Sequence, residues 1–454
     1  MKKKLLSSFS FTFLSSGLFF GFTFFVAKYF GAIEYGKISY YLSFVFLTTL
    51  FIGFNHPGLY MGERITKENK NAFSLFFTIE SIFFIIVFLP AIYILIDKIK
   101  SIEISILILF MAYFTAVIGL IGLEFNARKE IEKSILFSAL LPRLLLISLF
   151  LLAILLGLAT PKSYLYIYLI SFFSISVYFL CKWKPKFYLK KDIFKRAWKF
   201  YLLGIIGASF KPLANILQKE YYGYKEVANL SLALLFLAGF YLIGSVLVKF
   251  VLPKIHEAWR SKDLKTIEKL YSNNTTLEVI LISPIVIVIL INIDLIIKFL
   301  GTSYDLLGVY LTILMIGFLP DLFTGITGNL LRSTENEKYE IFNEILVLIS
   351  GLGLIYLLKD YKYGVVVAIS ISTFLYNIAK FLEVYILLKI KPFDLKKFFL
   401  LILYILFLII IFKSIAFFNF NTFFKLVLIS IMLLVIYIFN YKIIKKLQLL
   451  KGFE

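Results

Sequence analysis

The sequence predicts an all-α, polytopic membrane protein that crosses the bilayer about 14 times. Three observations predict this class. Apolar runs of roughly 20 residues, enough for a helix to span a hydrocarbon core about 30 Å thick, recur along the whole 454-residue chain. Hydrophobic residues make up 61% of the chain, whereas ordinary soluble domains contain about 45–50%. Short polar stretches separate the runs, and alternate stretches are rich in Lys and Arg.

Each predicted helix is one apolar run bounded by polar residues. The first run follows three lysines, as in a signal peptide, but it continues to Ala27 without a clear small-x-small cleavage site. It is too long for a signal core, so we expect it to be the first membrane helix. In chain order, the predicted helices span residues 5–27, 38–60, 72–96, 104–126, 134–157, 161–181, 197–218, 226–250, 275–299, 304–331, 338–358, 363–388, 397–418 and 422–441.

The loops between these helices alternate in charge, which predicts their orientation. The net charge is +21, and one alternate set of loops holds about three times as many basic residues as the other. The positive-inside rule makes that set cytoplasmic, so both termini are expected on the cytoplasmic side of the membrane. The even number of helices agrees with this orientation. Nucleic-acid binding is disfavoured because the basic residues are scattered over separate helix ends.

Two polar segments are long enough to form surface structure. Residues 182–199 (KWKPKFYLKKDIFKRAWK) are the longest basic stretch. They predict an amphipathic linker on the inner leaflet that joins two halves of the protein, or else a strong topology signal alone. Residues 253–273 predict a second surface helix.

Several function classes lack their sequence signals. The chain has no Walker loop and no pattern of nucleophile, base and orienting acid, so we expect neither direct use of ATP nor an enzyme. The two histidines, His56 and His256, have no metal-ligand pattern beside them, and we expect no metal site and no cofactor. The single cysteine, Cys181, excludes an intrachain disulfide.

Three stretches carry a family resemblance. Residues 31–66 read GAIEYGKISYYLSFVFLTTLFIGFNHPGLYMGERIT, residues 244–274 read GSVLVKFVLPKIHEAWRSKDLKTIEKLYSNN, and residues 328–340 read GNLLRSTENEKYE. Together the stretches resemble the polysaccharide and O-antigen flippases of the multidrug/oligosaccharidyl-lipid/polysaccharide exporter superfamily. Those flippases typically have a Glu-Tyr-Gly turn between helices one and two, so the resemblance implies a turn at Glu34-Tyr35-Gly36.

The resemblance implies an architecture and a function. It implies two six-helix bundles around a central cavity, residues 1–181 and 200–390, joined by the linker 182–199 and followed by two additional helices and a tail in 391–454. It implies that an undecaprenyl-diphosphate-linked oligosaccharide is flipped from the inner to the outer leaflet by alternating access. The implied partners are this lipid-linked substrate, membrane lipids, H⁺ or Na⁺, and a polysaccharide polymerase.

Basic residues inside membrane helices are candidate ligands for the diphosphate. An ionisable group deep in a membrane is costly unless it faces a cavity or a partner. Arg143 follows Pro142 in the fifth helix, and Lys211 precedes Pro212 in the seventh. We expect these two, with Arg64 at the inner mouth and Lys380 in the twelfth helix, to bind substrate. The alternative is pairing with a nearby acid or snorkelling, and Glu383 stands one turn after Lys380.

Acidic residues are candidates for ion coupling. Glu80 is central in the third helix, and Asp321 follows Pro320 in the tenth. A buried carboxylate can load and release a proton, which would couple transport to a proton or sodium gradient. The alternative role is as a structural counter-ion for the basic groups. Glu124 and Glu344 lie near the inner interface and are expected to meet water.

Two other functions remain open from the sequence. A cation-coupled exporter of small drugs would have the same fold, but Arg143 and Lys211 favour an anionic cargo. A membrane-embedded polysaccharide polymerase usually needs a sizeable extracytoplasmic loop, and the outer loops predicted here are short.

Overall fold

The computed structural model describes residues 2–53, 57–61, 63–64, 69–393, 395–417 and 422–446, and every regular element in these ranges is helical. His56 and the C-terminal tail lie outside them. The α-helices are α1 (Lys2–Ile52), α2 (Pro57–Met61), α3 (Ala72–Ile99), α4 (Ile102–Ala127), α5 (Ile131–Ile135), α6 (Leu141–Leu155), α7 (Pro161–Trp183), α8 (Lys191–Tyr222), α9 (Tyr224–Arg260), α10 (Leu264–Ile291), α11 (Ile293–Leu300), α12 (Leu307–Thr324), α13 (Thr327–Ser333), α14 (Glu337–Leu358), α15 (Gly364–Leu388), α16 (Leu395–Phe417) and α17 (Thr422–Lys446).

The helices confirm the predicted polytopic all-α class. In the described ranges, 12 helical segments are long and apolar enough to cross a membrane. That number treats α1 as one segment, although Gly31 (φ 73°, ψ 172°) divides its 51 residues into two helices. It also omits the 32-residue α8, whose first residues belong to the basic segment 182–199. Dividing α1 and adding α8 gives the predicted count of about 14.

The chain divides into two compact units, residues 1–228 and 229–454. In the first unit, α4 packs against α1, α3 and α7. Four aromatic rings from α4, the following π-helical turn and α7 pack together in one cluster. The centroids of neighbouring rings are 4.8–5.5 Å apart, and most pairs are edge-on or tilted. These rings are Phe125, Phe137, Phe179 and Trp183. Phe125 and Phe179 are buried, and full burial of a Phe side chain is worth about 1.5–3 kcal/mol. The predicted domain boundaries stay a prediction.

In the second unit, α10 is the central helix and packs against α12, α16 and α17, while α15 packs against α12 and α14. Pro284 interrupts the hydrogen bonds of α10. Because proline has no N–H, the carbonyl of Ile280 lacks its usual donor four residues on. The Asn440 Nδ2 and Tyr404 Oη donate to this carbonyl, at 3.2 and 3.4 Å. A buried carbonyl without a donor costs about 1–3 kcal/mol, so these bonds stabilise the docking of α16 and α17.

Three predicted helices are interrupted where the hydropathy shows no break. The fifth contains a π-helical turn, Leu136–Leu140, just before Pro142. The ninth breaks at Asn292 between α10 and α11, and the tenth breaks at Gly325 between α12 and α13. The predicted turn at Glu34-Tyr35-Gly36 is wrong, since the break in α1 lies earlier, at Gly31.

The two predicted surface segments are mostly parts of longer helices. Residues 253–273 do not form a separate surface helix: α9 continues to Arg260 and α10 begins at Leu264. Asp263 caps α10, and the hydroxyl and amide of Thr266 hydrogen-bond its carboxylate, which lowers the pKa of Asp263. Residues 184–190 form a connection without regular secondary structure, and residues 191–199 begin α8.

Candidate functional site

The second unit contains a cavity of about 280 Å³ that is lined by charged side chains from five helices. The wall combines apolar and aromatic groups with carboxylates, one guanidinium and one ammonium. The charged lining residues are Glu278 of α10, Asp321 of α12, Arg332 of α13, Glu340 of α14 and Lys380 of α15. The structure therefore brings together two residues that the sequence singled out for different roles, Asp321 and Lys380.

A helix break at Gly325 shapes this cavity. Gly325 has φ 60° and ψ −133°, a conformation that side chains rarely adopt. A Cβ atom there would lie 2.4 Å from the Thr275 Oγ1 and 3.4 Å from the Glu278 Oε2. The Tyr271 hydroxyl donates to the Thr324 carbonyl at 2.7 Å and satisfies the end of α12. Glycine thus lets the broken helix approach α10 at the level of Glu278.

Glu278 and Asp321 form an acidic pair in this cavity. Glu278 is 6% exposed, and the Nδ2 of Asn274 donates to its Oε1 at 2.8 Å. Asp321 lies close enough to repel the Glu278 carboxylate electrostatically. Burying a charged carboxylate costs several kcal/mol unless a charge compensates it. The hydrogen-bond partner described for Glu278 is a neutral amide, so a bound proton or cation would stabilise the pair.

Arg332 and Glu340 of the cavity form an ion pair, and Lys380 contacts an aromatic ring. The Nη2 of Arg332 lies 3.2 Å from Glu340 and 2.8 Å from Glu344, so the expectation that Glu344 simply meets water is wrong. The Tyr376 hydroxyl donates to Glu340 at 3.1 Å. The Nζ of Lys380 lies 3.9 Å from the centroid of the Tyr376 ring, a cation–π contact.

Lys380 is buried. The sequence suggested an ion pair with Glu383, one helical turn later, but the contact described for the Lys380 ammonium is the Tyr376 ring. The Glu383 Oε2 instead accepts a hydrogen bond from Asn343 at 2.6 Å. Lys380 therefore keeps its ammonium at the cavity wall, and its role in substrate binding stays a prediction.

In the first unit, Arg64 belongs to a buried carboxylate cluster. Glu124 is 2% exposed and lies between Arg64, at 3.3 Å, and Arg128, at 2.7 Å, and the Tyr60 hydroxyl also donates to it. Arg128 stacks over Trp183. The expectation that Glu124 meets water is wrong, because two arginines from different segments enclose it. The ligand role of Arg64 stays a prediction, and its described ionic partner is Glu124.

Arg143 is in the first turn of α6, and its side chain contacts the first half of α1. Its Nη1 donates to the Ser15 hydroxyl at 2.9 Å and to the Ser15 carbonyl at 3.3 Å, and its guanidinium stacks over Phe19 at 4.7 Å. All these described partners are neutral. The same two helices also line an apolar groove of about 600 Å³, through residues such as Gly17, Phe22 and Ile147. Ile147 lies one helical turn after Arg143.

The other two predicted residues also lie in the first unit. Lys211 is exposed on α8, just before the Pro212 that interrupts that helix. Glu80 is fully buried in α3, near the Tyr113 hydroxyl. Asp321 lies in the second unit, so the two acids predicted to couple ions do not share a unit. Their roles stay predictions.

Three cavity residues escaped the sequence analysis. Glu278 stands in an apolar run, TTLEVILIS, which is the available signal, but it falls in the first turn of the helix predicted from residue 275. Arg332 falls in the predicted cytoplasmic loop, and Glu340 falls in the first turn of the helix predicted from residue 338. Their convergence depends on the break at Gly325 and on Gly328, where a Cβ atom would lie 2.5 Å from the Glu340 Oε1.

Comparison with solved structures identifies the fold. A structure of the lipid II flippase MurJ in an inward closed conformation matches with a TM-score of 0.74 and 19% identity, covering 97% of this chain and 99% of that one. The chain has the fold of this flippase. The match covers all but 3% of this chain, which is fewer residues than the 23 of α16 or the 25 of α17. The matched region therefore includes at least part of each C-terminal helix.

Transporters of the multidrug MATE family share the fold less completely. An inward-facing MATE transporter of the MOP superfamily matches with a TM-score of 0.62 and 14% identity, covering 84% of this chain and 94% of that one. A MOP-superfamily transporter from Pyrococcus furiosus matches with a TM-score of 0.56 and 14% identity, covering 85% and 94%. No protein-family model matches the sequence, and no curated protein matches it.

Proposed function

We propose that this protein is a transporter that flips an undecaprenyl-diphosphate-linked oligosaccharide, an O-antigen or polysaccharide repeat unit, from the inner to the outer leaflet by alternating access. The observation that carries the proposal is the shared fold with a lipid II flippase over 97% of the chain, including at least part of each of α16 and α17. The three flippase-like sequence stretches favour an oligosaccharide repeat unit as the cargo. The protein works in a bacterial inner membrane with both termini in the cytoplasm, beside a polysaccharide polymerase and without enzymatic activity of its own.

Arg143 is the strongest candidate to bind the diphosphate. A guanidinium has five N–H donors in a planar fork that matches phosphate oxygens. In the described contacts, Ser15 occupies Nη1 alone, so Nη2 and Nε are available to a phosphate. Lys211, which is exposed on α8, adds a second positive charge. Arg64 and Lys380 have a weaker claim, because Glu124 pairs with Arg64 and Tyr376 covers Lys380.

The acidic pair Glu278 and Asp321 is the candidate site of ion coupling in the second unit. A buried carboxylate and a half-buried one that repel each other bind a proton or Na⁺ favourably. Release of that cation to the opposite side of the membrane would supply the free energy of flipping. Glu80 in the first unit is a second coupling acid in this proposal.

Reconstitution tests the proposal. The purified full chain is placed in liposomes with a lipid-diphosphate oligosaccharide, and outer-leaflet appearance is followed with an enzyme that cannot cross the bilayer, with and without a proton or sodium gradient. R143A is expected to lower the initial rate of flipping about tenfold or more, because it removes charged hydrogen bonds to the diphosphate worth about 1.5–3 kcal/mol. K211A is expected to lower it less, R143K to keep part of the rate, and R260A, at the exposed end of α9, to leave it unchanged. Absence of protein-dependent appearance contradicts the flippase.

A cation-coupled drug exporter is the second candidate function. The acidic pair in the cavity and the shared fold with MATE transporters favour it. The same liposomes, loaded with a fluorescent organic cation, distinguish the two functions. Gradient-dependent efflux of the cation without lipid flipping identifies the exporter.

A further inference from the structure

Side chains from α16 and α17 converge on one carbonyl of α10, that of Ile280. Pro284 leaves this carbonyl without its helical donor. The Asn440 Nδ2 donates to it at 3.2 Å, and the Tyr404 hydroxyl lies 3.4 Å away and shares its one proton between this carbonyl and the Asn440 Oδ1, at 3.1 Å. Asn440 and Tyr404 also hydrogen-bond each other at 2.8 Å, and Asn440 is 1% exposed. The C-terminal helix pair thus replaces a hydrogen bond that α10 cannot make for itself.

The bridged carbonyl lies next to the acidic pair. Ile280 follows Glu278 by two residues, about 3 Å along the helix axis, and Ile282 lines the same cavity. A shift of the backbone at Ile280 therefore moves the Glu278 carboxylate relative to Asp321. In this short segment of α10, the Glu278 and Ile282 side chains line the cavity, whereas the Ile280 and Leu281 carbonyls face the C-terminal helices.

A neighbouring contact provides a built-in comparison. The Tyr437 hydroxyl donates to the Leu281 carbonyl at 2.8 Å. Four residues after Leu281 stands Ile285, which has the N–H that an α-helix donates to the Leu281 carbonyl. Tyr437 therefore contacts a carbonyl whose regular helical donor exists, whereas Asn440 and Tyr404 contact one whose donor Pro284 removes.

We propose that Asn440 and Tyr404 are positioning residues, which hold the Pro284 break of α10 in the geometry that lets Glu278 bind a proton or cation. The inference rests on the proposed coupling role of Glu278. It gives the C-terminal helix pair a part in ion binding, through the backbone of α10 and without contact with the ion. When the two bonds are lost, the segment relaxes, water reaches Glu278, and the carboxylate holds its proton less firmly.

Carbodiimide labelling tests the proposal without any transport measurement. Dicyclohexylcarbodiimide modifies protonated carboxyl groups in apolar surroundings, and mass spectrometry of the full-length protein in liposomes locates the product. N440A and Y404F are expected to slow labelling of Glu278 about threefold to tenfold, because each variant removes one or two buried hydrogen bonds that hold the segment. The matched control Y437F is expected to label at the wild-type rate. Labelling of the buried Glu80 in the first unit reports whether each variant is folded.

Replacing the proline separates positioning from general stability. P284A restores an N–H that can donate to Ile280, so Asn440 becomes redundant. The double variant P284A/N440A is expected to label like P284A alone. The proposal is overturned if Y437F slows labelling of Glu278 as much as N440A does. It is also overturned if N440A slows labelling by the same factor in the P284A background as in the wild type. Absence of labelling at Glu278 in the wild type at every pH overturns it as well. If labelling responds as expected but no lipid is flipped, the proposed function fails and the positioning role stands.

Discussion

The Asn274 amide donates a 2.8 Å hydrogen bond to Glu278 one helical turn later, on the face of α10 that lines the charged cavity. The bond orients the carboxylate but supplies no charge to balance it. A proton or cation can therefore still bind at Glu278, and this property can be tested by substitution.

E278Q is expected to uncouple transport from the gradient. Glutamine keeps the shape of the side chain and can still hydrogen-bond Asn274, but it cannot bind a proton or cation at neutral pH. Flipping should become equally fast with and without the gradient, measured in the liposome assay. E257Q, at an exposed position near the end of α9, is the control and should keep the gradient response. A normal gradient response in E278Q would remove Glu278 from the coupling site.

E80Q is expected to change the pH or sodium dependence of transport as well. Glu80 is fully buried in α3 of the first unit, where a charged carboxylate is costly without a partner or a proton. The measurement is the flipping rate over a range of pH and sodium concentrations. An unchanged dependence at every condition would make Glu80 a structural residue and leave coupling to the second unit.

E124A is expected to destabilise the first unit. Removing the carboxylate leaves Arg64 and Arg128 facing each other, and both are partly exposed, so the loss is discounted to about 2 kcal/mol from the larger values of fully buried pairs. Thermal unfolding in detergent measures it as a lower Tm. E130A removes a half-exposed carboxylate that pairs with Lys133 and should leave the Tm nearly unchanged. Equal Tm values for both variants would show that the buried cluster adds no stability.

G325A is expected to destabilise the second unit by about 2 kcal/mol or more. The new Cβ would clash with Thr275, and φ 60° with ψ −133° is strained for alanine. G353A is the matched control, since a Cβ there meets nothing within 4 Å, and alanine in a helix interior is favoured over glycine by up to about 1 kcal/mol. Detergent unfolding should thus move the two Tm values in opposite directions. A stable G325A would show that the break tolerates a side chain.

Hydropathy alone predicted the class and most helix positions, because a span of lipid-facing apolar residues needs no knowledge of its neighbours. The breaks were not predictable in this way. Gly325 lies inside one predicted span, 304–331, and the reason for a glycine there is the close approach of Thr275 and Glu278, which leaves no room for a Cβ atom. Composition averaged over about 20 residues cannot register such a contact.

The candidate site was predictable only in part, because its charges come from distant segments. Asp321 and Lys380 were singled out as ionisable residues within apolar helices, and they line one cavity. Arg332 and Glu340 look like ordinary charges at the ends of two predicted helices, and their convergence on the cavity depends on how α13 and α14 meet. Glu124 shows the same limit, since its partner Arg64 lies 60 residues away.

The π-helical turn at Leu136–Leu140 makes the direction of Arg143 depend on a residue count. In this turn the Leu141 amide bonds to the Leu136 carbonyl, five residues back, which accommodates one residue more than a regular helix would. Deleting one residue there would restore an ordinary α-helix and rotate everything that follows by about 100° relative to α5. Arg143 would turn away from Ser15 with the composition of the helix almost unchanged. The gain or loss of a single codon in this stretch is therefore a route by which related chains can acquire or abandon a cation at this place.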